Sequence, residues 1–327
     1  MFDFRYKILL IALVSISACS TEPQQKTSPK KPKTKVEVPI FNADSAYYFV
    51  EKQVSFGPRV ISSKGWKNCA IWLENKFKTY TPNVQLQEAP ITTYDGKNHT
   101  LKNIIASFSP EKNNRLALFA HWDSRHIADH DTKNQKSPIL GANDGGSGVG
   151  VLLEIARQFS IKNPKIGVDI ILFDAEDYGQ PENSGFPIMQ NSWCLGSQYW
   201  SKHPHKQNYF AHYGILLDMV GGKDATFYRE GYSMEKASSV VEKVWNTATN
   251  LGFSNHFIYQ NSPKIMDDHV FVNYVLGIRT IDIIEHDPST KSNFNQHWHT
   301  HKDNMDNIDK NTLNAVGQTL LEVIYNE

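Results

Sequence analysis

Two adjacent carboxylates, Glu176 and Asp177, follow an apolar run that begins at Val168. Such a run predicts a strand buried on both faces, and the carboxyl ends of these strands are where open α/β sheets carry their chemistry. Neighbouring side chains at a strand end point in different directions, so one carboxylate is able to bind a metal while the other faces a substrate. A solvated turn or a helix N-cap is the alternative interpretation of the pair.

Other potential metal ligands stand beside further apolar runs. They are His121 and Asp123 after one run, Asp144 before a helical run, Asp218 after another run, and His299 near the C-terminus. Carboxylate oxygen and imidazole nitrogen are ligands of catalytic zinc, which keeps one position open. Taken singly, Asp144 could be a helix N-cap and His121 a structural histidine. Together these residues predict a metal site at the carboxyl edge of a sheet.

Three alternate histidines, His297, His299 and His301, need a separate interpretation. On an extended strand they would share one face and could form a three-histidine metal site. That arrangement would leave the carboxylates without a metal to bind. We therefore favour His299 alone as a ligand, with His297 and His301 exposed to solvent.

Several other chemistries are excluded by the sequence. The stretch from Gly145 nearly matches a serine nucleophile elbow, but Val149 replaces its last glycine. Its glycine spacing does not fit a dinucleotide-binding loop, and the chain has no Gly-Lys-Ser/Thr phosphate loop. The formal net charge of zero gives no reason to expect a nucleic-acid partner.

The elements that must position these residues alternate along the chain. Strands are predicted at residues 84–91, 101–109, 115–122, 168–173, 213–217 and 279–284, and helices at 43–53, 62–80, 146–159, 234–251 and 311–326. We therefore expect a single α/β domain with a central, mostly parallel mixed sheet that is flanked by helices on both faces. The first two strands are expected to pair as antiparallel edge strands.

The N-terminus has the pattern of a targeting segment. Arg5 and Lys7 precede an apolar run that is short for a bilayer span, and the run ends at Ile16-Ser-Ala-Cys19, which resembles the lipobox of bacterial lipoproteins. We predict a lipoprotein signal peptide at 1–19, a flexible tether at 20–37 and a folded domain at 38–327. Cys19 would carry a lipid anchor, and the domain would face the periplasm. An ordinary secretory signal and an uncleaved anchor are the alternatives.

Two further cysteines, Cys69 and Cys194, belong to the predicted domain. Cys69 follows the spacing of a helix and is predicted to be a small core residue. A disulfide between them is compatible with an exported protein, and the sequence leaves that pairing open.

The order of the motifs over residues 38–327 resembles that of the M28-like zinc aminopeptidase superfamily. The motifs are His121-Trp-Asp-Ser, Gly141-Ala-Asn-Asp-Gly, Asp174-Ala-Glu-Asp, Leu217-Asp218, Met266-Asp-Asp-His269 and Trp298-His-Thr300. The closer match is the glutaminyl cyclase branch, the type II glutaminyl-peptide cyclotransferases of animals and some bacteria. The resemblance implies the zinc aminopeptidase-like fold.

The resemblance also implies a metal site. Asp144, Asp177 and His299 would bind one zinc ion per chain. The animal enzymes usually have glutamate at the position of Asp177, so this ligand is shorter here.

The remaining site residues are implied in the same way. Glu176 matches the general acid/base, and Asp218 and Asp267 match the acids of the hydrogen-bonded network beside it. Crowding by those two acids is expected to raise the pKa of Glu176. Trp298 matches an indole that lines the glutamine pocket, and Trp193 is a weaker match to a second wall, because the preceding loop differs in length and composition.

The implied reaction is cyclisation of N-terminal glutamine in peptides and proteins to pyroglutamate, with release of ammonia, by a monomer. A two-zinc aminopeptidase is the alternative, in which His121 and Asp218 would complete a second metal site. Aminopeptidases usually have serine at the position of Asp267, so this acid favours the cyclase. Trp298 favours it as well, because it matches the indole of the glutamine pocket. A catalytically silent binding module is disfavoured by the intact Glu176.

Overall fold

The apolar runs of the sequence form the strands of a mixed sheet. The computed structural model describes residues 1–3 and 36–327, of which Val36–Glu327 form one compact unit. Its strands are β1 (Val84–Thr92), β2 (Asn98–Phe108), β3 (Arg115–His121), β4 (Gly167–Phe173), β5 (Gly214–Asp218), β6 (Phe227–Arg229), β7 (Phe257–Asn261) and β8 (Thr280–Ile284). The central sheet has the order β1-β2-β4-β3-β5-β8, and β6 and β7 pair separately.

The strand directions confirm the expected mixed sheet. Strands β4, β3, β5 and β8 are parallel, whereas β2 is antiparallel to both β1 and β4. The carboxyl ends of the four parallel strands therefore meet at one edge. β4 and β5 both follow β3 in the chain but lie on opposite sides of it, and this change of direction opens a crevice at the strand ends.

The predicted helices are present, and short elements join them. The helices are α1 (Ala43–Val54), α2 (Lys64–Lys78), α3 (Gly146–Ile161), α4 (Leu195–Lys202), α5 (Gly231–Asn250), α6 (Asp268–Phe271) and α7 (Lys310–Tyr325), and a π-helical turn at Val272–Leu276 continues α6. The sequence pattern did not predict α4, α6, β6 or β7. The helices α4 and α6 are shorter than the window of about 11 residues over which helical periodicity is recognised, and β6 and β7 are not buried apolar runs.

Both faces of the sheet are covered, as the continuous apolar strands require. Leu116 and Leu118 of β3 point into a large core that includes residues of α1, α3, α5 and α7. Ala117 and Phe119 point into a second core that includes Trp200 of α4. The expected arrangement of helices on both faces is therefore confirmed.

The cysteines of the domain are buried and free. Cys69 packs in the larger core, as predicted, and no disulfide joins it to Cys194. Residues 4–35, which include most of the predicted signal peptide with Cys19 and most of the predicted tether, lie outside the described residues. Among the described residues, no helix has the length and apolar character needed to cross a membrane.

Candidate active site

The strand ends bring most of the predicted site residues together. His121 ends β3, Asp218 ends β5, and Glu176 and Asp177 follow β4 by a short turn. A cavity of about 260 Å³ lies at this edge. Predicted site residues that line it are Asp144, Glu176, Asp177, Trp193, Asp218, Asp267, Trp298 and His299.

The turn that carries Glu176 and Asp177 is fixed by Asp123. The backbone N–H groups of Glu176 and Asp177 donate to the two carboxylate oxygens of Asp123, each at 3.1 Å. Ala175 adopts the left-handed conformation, with φ of 54°, and turns the chain sharply after β4. Asp123 was one of the potential metal ligands, but its oxygens hold this turn and it belongs to neither ligand group described below.

Asp144 is positioned by a second buried carboxylate, that of Asp303. The backbone N–H groups of Asn143 and Asp144 donate to Asp303 at 2.7 and 3.1 Å. The N-cap of α3 is Gly145, and no side chain caps this helix. The N-cap interpretation of Asp144 is therefore wrong, and its carboxylate faces the cavity.

Asp144, Asp177 and His299 form the predicted metal-ligand group. One ligand atom from each lies within 4.8 Å of the others, and all three residues are buried. Nε2 of His299 lies 3.3 Å from Asp177 and 3.7 Å from Asp144. Neither oxygen of Asp177 has a hydrogen-bond partner among the described residues. A buried carboxylate that lacks a hydrogen bond and lies beside an imidazole and a second carboxylate fits a zinc site of the catalytic type.

The backbone conformation at His299 prevents the three alternate histidines from sharing one face. Its φ of 56° is left-handed, so residues 297–301 do not form an extended strand with one shared face. His301 contacts Asp131 at 2.9 Å, and neither it nor His297 belongs to a converging ligand group in the described chain. The three-histidine alternative is therefore not what the structure assembles.

Asp129 lies against His299 and was not predicted from the sequence. Its Oδ1 lies 3.1 Å from Nδ1 of His299, on the side of the ring opposite the ligand group. Arg125 donates two hydrogen bonds to the same carboxylate, at 2.9 and 2.6 Å. A carboxylate on the far nitrogen of a ligating histidine fixes the ring and raises its basicity. The Arg125-x-x-x-Asp129 spacing after the His121 strand was the available signal.

His121 connects the ligand group to Asp218. Its Nε2 lies 3.1 Å from Asp144 and 3.1 Å from Asp218. His121, Asp144 and Asp218 thus form a second converging group that shares Asp144 with the first. Burial raises the pKa of Asp218 to about 7, although the hydrogen bond with His121 opposes this shift.

Glu176 occupies a separate environment from Asp177. The thiol of Cys194 donates a hydrogen bond to its Oε1 at 3.2 Å, and the backbone N–H of Cys194 donates to the Glu176 carbonyl at 3.0 Å. Burial raises the pKa of Glu176 well above its ordinary value, and the negative charges of Asp177, Asp267 and Asp268 raise it further. Of the two acids expected to crowd Glu176, Asp267 is thus among the groups that raise its pKa, and Asp218 contacts His121.

Two indole rings form walls of the cavity. Trp298 stacks on His299 with ring centroids 3.8 Å apart. Trp193 lies nearly parallel to the same imidazole at 5.9 Å, and the guanidinium of Arg125 covers Trp193 at 4.4 Å from the ring. Trp193 also packs against Gly179, where any Cβ would overlap the indole. Both tryptophans predicted for a substrate pocket are therefore on the cavity wall.

Comparison with known proteins identifies the family. The model of peptidase family M28 matches residues 103–324, and the chain belongs to this family. Glutaminyl-peptide cyclotransferase of Bos taurus is 26% identical over 249 residues, which cover 68% of this chain and 64% of the bovine protein. The match thus spans less than two thirds of that relative's length.

Solved structures give closer similarities. The glutaminyl cyclase of Tannerella forsythia is 52% identical with a TM-score of 0.86, covering 88% of this chain and 100% of that one. A Zn-dependent exopeptidase from Parabacteroides distasonis is 53% identical with a TM-score of 0.87, covering 89% and 100%. These similarities confirm the predicted zinc exopeptidase-like fold and the resemblance to bacterial glutaminyl cyclases.

Proposed function

We propose that this chain is a zinc-dependent glutaminyl-peptide cyclotransferase, which converts N-terminal glutamine to pyroglutamate and releases ammonia. The observation that carries this proposal is the placement of Glu176, whose side chain is only 12% exposed, beside Asp267 in a cavity walled by Trp193 and Trp298. The names of the bovine and Tannerella relatives support the same activity.

The metal would be held by Asp144, Asp177 and His299, and one zinc per chain is proposed. When bound, zinc supplies Lewis-acid polarisation of a carbonyl oxygen. Asp129 would keep His299 in the orientation and tautomer that ligation requires.

Glu176 would move the protons of the reaction. The α-amine attacks the γ-carbonyl carbon, and a new C–N bond closes the five-membered ring. Glu176 accepts the proton that the amine loses and returns a proton to the departing nitrogen, so that ammonia leaves as the original amide bond breaks. Glu176 must carry a proton between its transfer from the amine and its transfer to the departing nitrogen, and a raised pKa favours this protonated form. Burial raises the pKa of Glu176.

The indole walls would hold the glutamine for this attack. Trp193 and Trp298 offer flat apolar surfaces that accommodate the methylene groups of the side chain. Holding the amine near the carbonyl supplies proximity, and displacement of water protects the amide from hydrolysis to glutamate.

An M28-type aminopeptidase is the second candidate, because His121, Asp144 and Asp218 form a further group able to hold a metal. Peptides beginning with glutamine and with leucine, incubated in parallel, separate the two functions. The cyclase releases ammonia from the glutamine peptide and leaves the leucine peptide unchanged. Release of free leucine would favour the aminopeptidase.

We further propose export as a monomeric lipoprotein that is anchored through Cys19 and faces the periplasm. The support is the basic start, the short apolar run and the lipobox-like Ile16-Ser-Ala-Cys19. Labelling a bacterial host with a radioactive fatty acid is expected to label the wild-type chain and not Cys19→Ala. Equal labelling of both would contradict the anchor, and sedimentation of the purified domain checks the monomer.

A further inference from the structure

A group of apolar side chains faces solvent beside the mouth of the active-site cavity. Ile188 and Phe186, in the loop between β4 and α4, are 92% and 48% exposed, and Met266 is 52% exposed. Single exposed apolar residues are ordinary, but these three line one groove of about 470 Å³. Contiguous apolar surface of this kind is typical of binding sites.

The groove is continuous with the cavity that holds the catalytic residues. Trp193 and Met266 line both spaces, so the groove begins where the cavity opens. Among the described residues that line the groove, Glu182 is the only charged one. The groove therefore offers a largely uncharged surface, with apolar side chains at Phe186, Ile188 and Met266, directly outside the proposed glutamine pocket.

The loop that forms the groove is held in shape by Gln180. Its side-chain amide donates to Oγ of Ser184 at 2.8 Å and to the carbonyl of Pro187 at 3.0 Å, and its Oε1 accepts from the backbone N–H of Met189 at 2.7 Å. The ring of Phe186 packs edge-on against Tyr94. These contacts order the apolar surface before any ligand binds, which lowers the entropy that binding costs.

We propose that this groove is a subsite for an apolar side chain among the residues that follow the N-terminal glutamine of a peptide substrate. The inference rests on the proposed function. A peptide whose glutamine fills the cavity leaves through its mouth, where two spaces adjoin the cavity at Trp193. One of them is lined by charged side chains such as Arg125 and Lys136, so an apolar side chain is better accommodated by the groove at Met266. An apolar side chain placed there covers Ile188 and Phe186 and is itself removed from water, so such substrates are selected.

The test uses the full chain and tetrapeptides that begin with glutamine. Each peptide carries leucine or serine at its second, third or fourth position, with glycine elsewhere. Leucine at one of these positions is expected to raise kcat/KM about tenfold over serine, the effect of burying part of one aliphatic side chain. In Ile188→Ser most of this preference is expected to disappear, while turnover of the all-glycine peptide stays unchanged.

Ile161→Ser is the matched control. Ile161 is 67% exposed at the last residue of α3, the end remote from Asp144, and its replacement should leave the leucine preference intact. Equal rates for leucine and serine peptides in the wild type would overturn the subsite, as would an unchanged preference in Ile188→Ser. If Ile188→Ser changes only self-association or binding to phospholipid vesicles, the groove serves another contact and the proposal fails.

The failure of the subsite and that of the proposed function give different results. Peptide consumption is followed by mass spectrometry, so the leucine preference is measured whichever product forms. A leucine preference with shortened products would contradict cyclisation and support the subsite. Cyclised products formed without any preference would contradict the subsite alone.

Discussion

In the proposed reaction, single side chains divide the work of the site between proton transfer and metal binding. Glu176 faces Cys194 and Asp267, whereas its neighbour Asp177 faces His299. This separation follows from the sharp turn at Ala175 and from the two hydrogen bonds to Asp123. Each role can therefore be removed by a substitution that leaves the other in place.

Glu176→Gln removes the proton acceptor and keeps the size of the side chain. We expect kcat to fall roughly 10²–10⁴-fold, the usual contribution of a general acid/base, with zinc content unchanged. Steady-state kinetics and metal analysis of the same preparation check this expectation. Near-normal turnover would remove Glu176 from the proton-transfer role.

Cys194→Ala removes the thiol that donates to Glu176. Because the hydrogen bond holds the carboxylate in one orientation, we expect kcat to fall by about tenfold or less with little change in KM, consistent with a weak donor. Cys194→Ser supplies a hydroxyl donor and should restore part of the loss. Cys69→Ala is the control, because Cys69 belongs to α2 and its thiol packs in the larger hydrophobic core. An equal fall in kcat for both alanine variants would point to general destabilisation.

Asp129→Asn tests whether Asp129 supports His299 as a metal ligand. The substitution removes a negative charge from beside His299. We expect zinc affinity to fall about 10–100-fold, which is usual when a group that contacts a metal-bound histidine is replaced. Competition with a chelator measures the affinity. Asp131→Asn is the matched control, since Asp131 contacts His301 outside the ligand group. Equal affinities in the wild type and Asp129→Asn would contradict the orienting role.

At the scale of elements, the long periodic segments were predictable and the short ones were not. Strands β3, β4, β5 and β8 appear in the sequence as apolar runs, because each is covered on both faces. Their parallel pairing then brings His121, Asp177 and Asp218 to one edge, which the α/β pattern already indicated. The loop before Trp193 and the segment after β3 carry no hydrophobic period, so the contact of Cys194 with Glu176 and that of Asp129 with His299 became visible only in the folded chain.

Asp123→Ala tests the turn that follows β4. The substitution leaves the buried N–H groups of Glu176 and Asp177 without their acceptors. We expect the free energy of unfolding to fall by about 2–3 kcal/mol, since each unpaired buried group carries a desolvation penalty. Denaturant unfolding measures this change, and zinc content should fall with it. An unchanged unfolding curve would show that Asp123 does not hold the turn.

At the scale of the whole molecule, the fold assembles two neighbouring groups that are able to hold a metal, and they share Asp144. We propose a single zinc, so metal analysis of the purified chain is expected to give one zinc ion per chain and none in His299→Ala. Two tightly bound zinc ions per chain would favour the aminopeptidase. Full occupancy in His299→Ala would remove His299 from the ligand set.

In the proposed reaction the α-amine of glutamine, and not water, attacks the γ-carbonyl. Incubation of an N-terminal glutamine peptide in oxygen-18 water, followed by mass spectrometry, distinguishes the two nucleophiles. The expected product has lost ammonia, keeps all its residues and contains no oxygen-18. A product with N-terminal glutamate carrying oxygen-18, or a peptide shortened by its first residue, would contradict the proposed reaction.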